Sequence, residues 1–161
     1  TSYENSDTTG KVNYLTHVQS NGWQQYVSDG SISGTVGESK RLEGIRINLA
    51  NLSCSGGIRY RTHIQTFGWE SGWRQDGVLS GTYGMAKRLE AIQIELYGEA
   101  KQRYDVYYRV HAQSYGWLGW AKNGYPAGTE GLSKRLEAIQ IVLLPKGSSA
   151  PGSTEASFIK R

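Results

Sequence analysis

Glu43, Glu90 and Glu137 stand 47 residues apart, each two positions after an arginine. A glycosidase needs two carboxyl groups in one cleft with unlike environments. Three equivalent glutamates, each beside an arginine, suit ion pairing instead, and catalysis is not expected. His17, His63 and His111 also recur, and imidazole is a common metal ligand. A strand histidine flanked by Arg and Gln more naturally bonds a turn or the neighbouring Glu, so no metal or cofactor is expected. A minority reading gives Arg41, Arg88 and Arg135 an anionic polymer as ligand. The aromatic residues carry the sharper signal. Trp23, Trp69 and Trp117 each follow a glycine, and a second ring comes soon after at Tyr26, Trp73 or Trp120. Near those second rings lie Asp29, Asp76 and Asn123. An exposed ring beside an amide or carboxylate suits a sugar, whose apolar face lies on the ring while its hydroxyls bond the polar group. Tyr26, Asp29, Trp73, Asp76, Trp120 and Asn123 are therefore the candidate ligand-binding residues. The first Trp of each pair is read as a core anchor.

These residues are positioned by a threefold internal repeat, the most decisive feature of the chain. "VNYLTHVQSNGWQQYVSDGSISGTVGESKRLEGIRI" aligns with "IRYRTHIQTFGWESGWRQDGVLSGTYGMAKRLEAIQI" and "VYYRVHAQSYGWLGWAKNGYPAGTEGLSKRLEAIQI". His, Gln, Gly-Trp, Asp/Asn-Gly, Gly-Thr and Arg-Leu-Glu fall in register. The pattern resembles the ChW repeat, the clostridial hydrophobic module with a conserved tryptophan, in three copies at about 11–50, 57–97 and 105–144. Departures are few: Tyr26 for the second Trp, Gly44 for Ala, and Pro126-Ala127 in the third turn. The resemblance implies a secreted or cell-surface protein of a Gram-positive bacterium.

Within one repeat, Ile58 to Gln65 alternates as a strand, with Ile58, Tyr60, Thr62 and Ile64 on one face. A second strand is expected from Trp69 to Arg74, which would turn Trp117 and Trp120, three apart in the third copy, to opposite faces. Asp76-Gly77 signals a hairpin, and a last strand runs to Leu96 with a bulge at Arg88-Leu89-Glu90. No helical periodicity of useful length occurs. Each repeat has too few large apolar groups to fold alone, so an all-β single domain with pseudo-threefold symmetry is expected, β-trefoil-like, with a β-prism as the alternative.

Residues 1–10 and 145–161 are polar and read as a flexible N-terminus and a flexible tail or linker. The first residue is Thr, with no leader before it, which reads as a mature or excised fragment. With one cysteine, Cys54, the chain has no internal disulfide. No apolar run is long enough for a membrane span. The net charge of +4 suits an anionic wall polymer but is thin for nucleic acid. The expected function is a non-catalytic binding module for cell-wall polysaccharide or peptidoglycan, one weak site per repeat. The alternative is a protein-interaction or adhesion module using the same aromatic residues.

Overall fold

The first repeat forms β1 (Val12–Val18), β2 (Gly22–Trp23), β3 (Val27–Ser28), β4 (Ser33–Gly34) and β5 (Leu42–Leu49). The second forms β6 (Gly57–Ile64), β7 (Gly68–Trp69), β8 (Arg74–Gln75), β9 (Ser80–Gly81) and β10 (Leu89–Tyr97). One short helix, α1 (Glu99–Arg103), leads to β11 (Tyr104–Ala112), β12 (Gly116–Trp117), β13 (Ala121–Lys122), β14 (Ala127–Glu130) and β15 (Leu136–Pro145). Near the end of the chain lies β16 (Phe158–Lys160). This computed structural model describes residues 10–161, so all but Gly10 of the expected flexible N-terminus falls outside the described residues.

The long strands follow from alternation. In β6, Ile58, Tyr60, Thr62 and Ile64 are buried, whereas Arg59, Arg61 and His63 are half-exposed. The same faces of all three repeats merge into one core that includes Tyr14, Tyr60 and Tyr108. Each fully buried Ile or Leu contributes roughly 1.5–3 kcal/mol. The expected bulge is present in every copy. His63 opposes Ala91 while Ile64 opposes Leu89, so Glu90 has no opposite number. Glu43 and Glu137 are skipped in the same way.

The strand expected from Trp69 to Arg74 is corrected: it breaks into β7 and β8, separated by Glu70 to Trp73. Glu70 supplies the reason. Its carboxylate accepts from the Thr62 and Gly81 amides, both at 3.1 Å, and from the Ser80 hydroxyl. That turns the chain away from a continuous ladder.

The repeats are joined by exchange of a short strand. β9 of the second repeat pairs with β5 of the first, β14 of the third with β10 of the second, and β4 of the first with β15 of the third. The circuit therefore returns to its start. Among the described residues three sheets of five, six and five strands result, and they remain separate sheets rather than one barrel. The chain is all-β and built of three repeats, as expected.

Glycine is required where the strands exchange. At Gly81 φ is +93°, and a Cβ would sit 2.6 Å from the Glu43 carbonyl oxygen. A buried tyrosine then locks each junction. The Tyr60 hydroxyl accepts from the Ile47 amide at 3.1 Å and donates to the Val78 carbonyl. Tyr108 does the same with Ile94 and Tyr125, and Tyr14 with Ile141 and Ser31. Burial pushes the ionisation of all three phenols far above its usual range, so they stay neutral donors.

The tail corrects a second expectation. The described residues beyond Pro145 pack on the third repeat rather than hanging free. β16 pairs in parallel with β14, the Tyr107 hydroxyl donates to the Ser148 carbonyl at 3.0 Å, and the Trp120 amide donates to Ser153 at 2.8 Å. Composition signalled flexibility, but backbone hydrogen bonds hold this segment.

Candidate ligand-binding site

The Asp/Asn-Gly turns are structural clasps. Asp29 takes the Lys11 and Val12 amides, Asp76 takes the Ile58 amide and the Tyr97 hydroxyl, and Asn123 takes the Val106 amide. Each residue sits at positive φ, at 47°, 49° and 45°, which Asp and Asn tolerate. The following glycine amides donate across the junctions, Gly30 to Ile141, Gly77 to Ile47 and Gly124 to Ile94, at 2.6–2.7 Å. The sugar-bonding role expected of Asp29, Asp76 and Asn123 is thus corrected: their side-chain oxygens are spent on the protein's own donors.

The rings divide otherwise than expected. Trp120 is only 8% exposed, because the tail crosses it. A Cβ on Gly152 would lie 3.1 Å from its Nε1. Trp73 and Tyr26 remain half-buried, as do the three expected core anchors Trp23, Trp69 and Trp117. The anchors stand at the seams between repeats. Tyr83 of the second repeat packs edge-on against Trp23 of the first, with ring centroids 6.0 Å apart. The Trp69 indole donates to Glu130 of the third repeat at 2.9 Å, a bond that holds the Glu130 carboxyl below the usual range.

What brings the two rings of a repeat together is an arginine. Arg61 lies 5.4 Å from the Trp69 ring centroid and 5.3 Å from that of Trp73. Arg109 lies 4.6 Å from Trp117 and 5.1 Å from Trp120. Both rings of a pair therefore share one guanidinium, and the expectation of opposite faces fails with the continuous strand on which it rested. Arg61 Nε donates to Gln93 at 2.6 Å, and Gln93 in turn donates to the Gly124 carbonyl at 3.1 Å. Arg109, Gln140 and Gly30 repeat the chain of bonds. In the first repeat Leu15 replaces that Arg, and the cation comes from the partner strand: Arg46 sits opposite Leu15, 5.1 Å from Trp23, and bonds the Gly77 carbonyl itself. These residues were missed from sequence, although the Arg61–Gln93 and Arg109–Gln140 alignment and the compensating Leu15–Arg46 swap are visible there.

Around Trp69 opens a cleft of about 470 Å³, lined by Phe67, Glu70, Arg74 and Thr82 among others. The Thr82 hydroxyl oxygen is buried there without a hydrogen-bond partner among the described residues. Such a group carries a desolvation penalty that a ligand donor or acceptor relieves. The comparable cleft beside Trp117 and Trp120 is bounded by the tail residues Pro151 to Ala156.

The histidines stay apart, each with its own glutamate. His17 Nδ1 lies 2.8 Å from Glu43, and His63 and His111 lie 2.9 Å from Glu90 and Glu137. The second oxygen of each carboxylate takes an arginine Nε, Arg41, Arg88 or Arg135, at 2.7–2.9 Å. Each imidazole also stands edge-on to its tryptophan, with centroids 5.3–5.4 Å apart. Among the described residues no three His, Cys, Asp or Glu side chains gather as a metal-binding group.

No curated protein and no solved structure matches the chain. A profile of the family described as Clostridial hydrophobic W matches residues 17–51, 63–98 and 111–145, from the last two residues of β1, β6 and β11 through the end of each following long strand. The three matches take in the histidines, the Gly-Trp turns and the Arg-Leu-Glu bulges, and together they span well over half of the chain, which therefore belongs to the Clostridial hydrophobic W family.

Proposed function

We propose that the protein is a non-catalytic module of a secreted or surface protein, recognising glycan or peptidoglycan of a Gram-positive cell wall through its tryptophan clefts. The observation that carries the reading is the second repeat's open cleft. There Trp69 offers an aromatic wall and Thr82 a buried hydroxyl in need of a partner, while a half-buried Trp73 stands beside Arg61, 5.3 Å from its ring centroid. Aromatic faces plus a few polar groups are the ingredients of sugar binding. The polar share thus moves from Asp76 to Thr82. The tail bounds the third cleft, so the second repeat carries most of the binding.

Retention on purified sacculi, compared with soluble oligosaccharides, tests this directly. Sacculi should retain the protein, and Trp73→Ala should weaken retention about tenfold, the loss of one stacking contact of about 1–2 kcal/mol. Failure to bind sacculi or polysaccharide, with retention of a surface protein, would instead establish the adhesion reading.

A further inference from the structure

At one end of the molecule equivalent residues of all three repeats converge on a single open pocket of about 430 Å³. Its walls carry Arg41, Arg88 and Arg135 together with Gln19, Gln65 and Gln113. Each arginine is fixed from behind. Its own amide donates to the glutamine Oε1 at 3.1–3.2 Å, and its Nε donates to the bulged glutamate. That glutamate is held in turn by the histidine on its other oxygen.

The consequence is a wall of donors. Among the described residues the terminal guanidinium nitrogens of these three arginines, and the Nε2 groups of the three glutamines, make no hydrogen bond. The glutamine oxygens are already occupied, and so are both oxygens of each glutamate. The pocket therefore presents N–H groups from three directions and no carboxylate, with only the Ser39 and Ser133 hydroxyls, which can also donate, as further polar side chains in its lining, the complement of an oxyanion. A fork of two parallel donors on each arginine suits phosphate better than a single-point cation would. The prior fixing of the stems lowers the ordering cost of binding.

We propose that this three-arginine pocket binds one phosphate group, as the free dianion or as a small phosphomonoester, for which the volume leaves room. The site is separate from the tryptophan clefts and does not rest on the glycan reading.

Calorimetric titration of the intact protein with inorganic phosphate in low-salt buffer tests it, with glycerol 3-phosphate as a second arm. Saturable binding of one phosphate per chain is expected, weakening with added salt. Tighter binding of glycerol 3-phosphate assigns the ester, and tighter binding of inorganic phosphate assigns the free ion; both support the site. Arg88→Gln should weaken binding about tenfold. Because that change also strips Glu90 of a partner, Ser133→Glu provides a second variant. Ser133 is an exposed residue on the pocket rim, outside the Arg–Glu–His bonds, and a carboxylate there should abolish phosphate binding while an uncharged Ser133→Gln keeps it. No saturable binding, a stoichiometry of three, or affinity unchanged by both Arg88→Gln and Ser133→Glu would overturn the proposal.

Discussion

Trp73 and Trp120 occupy corresponding places in their repeats, yet their neighbours give them different work. Trp120 is covered by the tail and bonded to it through its amide, whereas Trp73 keeps a half-exposed ring against Arg61. Trp120→Ala should therefore destabilise the protein by about 3 kcal/mol or more, and Trp73→Ala by only about 1–2 kcal/mol. Thermal melts of the two variants decide the matter; equal losses would show the tail to be no real cover. Asp105 offers a pH-dependent test. Its carboxylate is 1% exposed, and burial alone would raise its pKa. Bonds from Asn123, the Gly147 amide and Lys146 outweigh burial and bring it from the ordinary 3.8 to about 2. A folded value below the unfolded one means stabilisation that is full above about pH 4 and fades as the pH falls toward 2. Asp105→Asn should thus cost about 2 kcal/mol at pH 7, and its melting temperature should converge on that of the parent protein between pH 4 and 2.

The long strands and their bulges are legible at the level of elements because both rest on local alternation. Ile58, Tyr60, Thr62 and Ile64 mark the buried face unaided, and Leu89 falling out of phase with Ile92 and Ile94 announces the bulge. The short strands are not legible. β4, β9 and β14 are two to four residues long and each pairs with a long strand of another repeat, β14 also with β16, so no local pattern specifies their partner. The site shares that limit. The Trp-Arg pairs depend on which residue lies across the ladder, and Trp120's cover comes from a segment whose composition suggests a linker. Gly81 shows how little freedom the exchange leaves. A methyl group there meets the Glu43 carbonyl at 2.6 Å and Gly44 Cα at 3.0 Å, and backbone cannot yield as a flexible side chain can. Gly81→Ala should destabilise by about 2–3 kcal/mol or more through strain at positive φ and loss of the β5–β9 pairing. Increased amide hydrogen exchange at Ser80 and Ile45, next to the junction, would locate the damage. A substitution tolerated without loss would mean that β9 contributes little to closure.

Across the whole molecule, closure makes each repeat dependent on two others. The second repeat receives β14 from the third and gives β9 to the first, while its Tyr60 and Gly77 bond the Ile47 backbone of the first. A repeat cut loose would leave Tyr60 and the inner faces of β6 and β10 in water, with unpaired strand edges on both sides. The buried surface of about forty residues is too small to offset the conformational entropy of ordering them. Residues 57–97 alone should therefore be unfolded by circular dichroism and show no dispersed amide resonances. The intact chain, by contrast, should unfold in one transition, with calorimetric and van't Hoff enthalpies equal. The tyrosine junctions provide the sharper form of the test. Tyr14→Phe, Tyr60→Phe and Tyr108→Phe each leave one buried backbone amide without a partner and free one part-buried carbonyl, at about 1–3 kcal/mol. If the three repeats form one cooperative circuit, each substitution lowers the same single transition by a similar amount, wherever it is placed. If the repeats were instead a linear array, the seam between the first and third would be dispensable. Tyr14→Phe, which breaks the bond to Ile141 across that seam, would then leave the melting temperature unchanged while the other two lowered it.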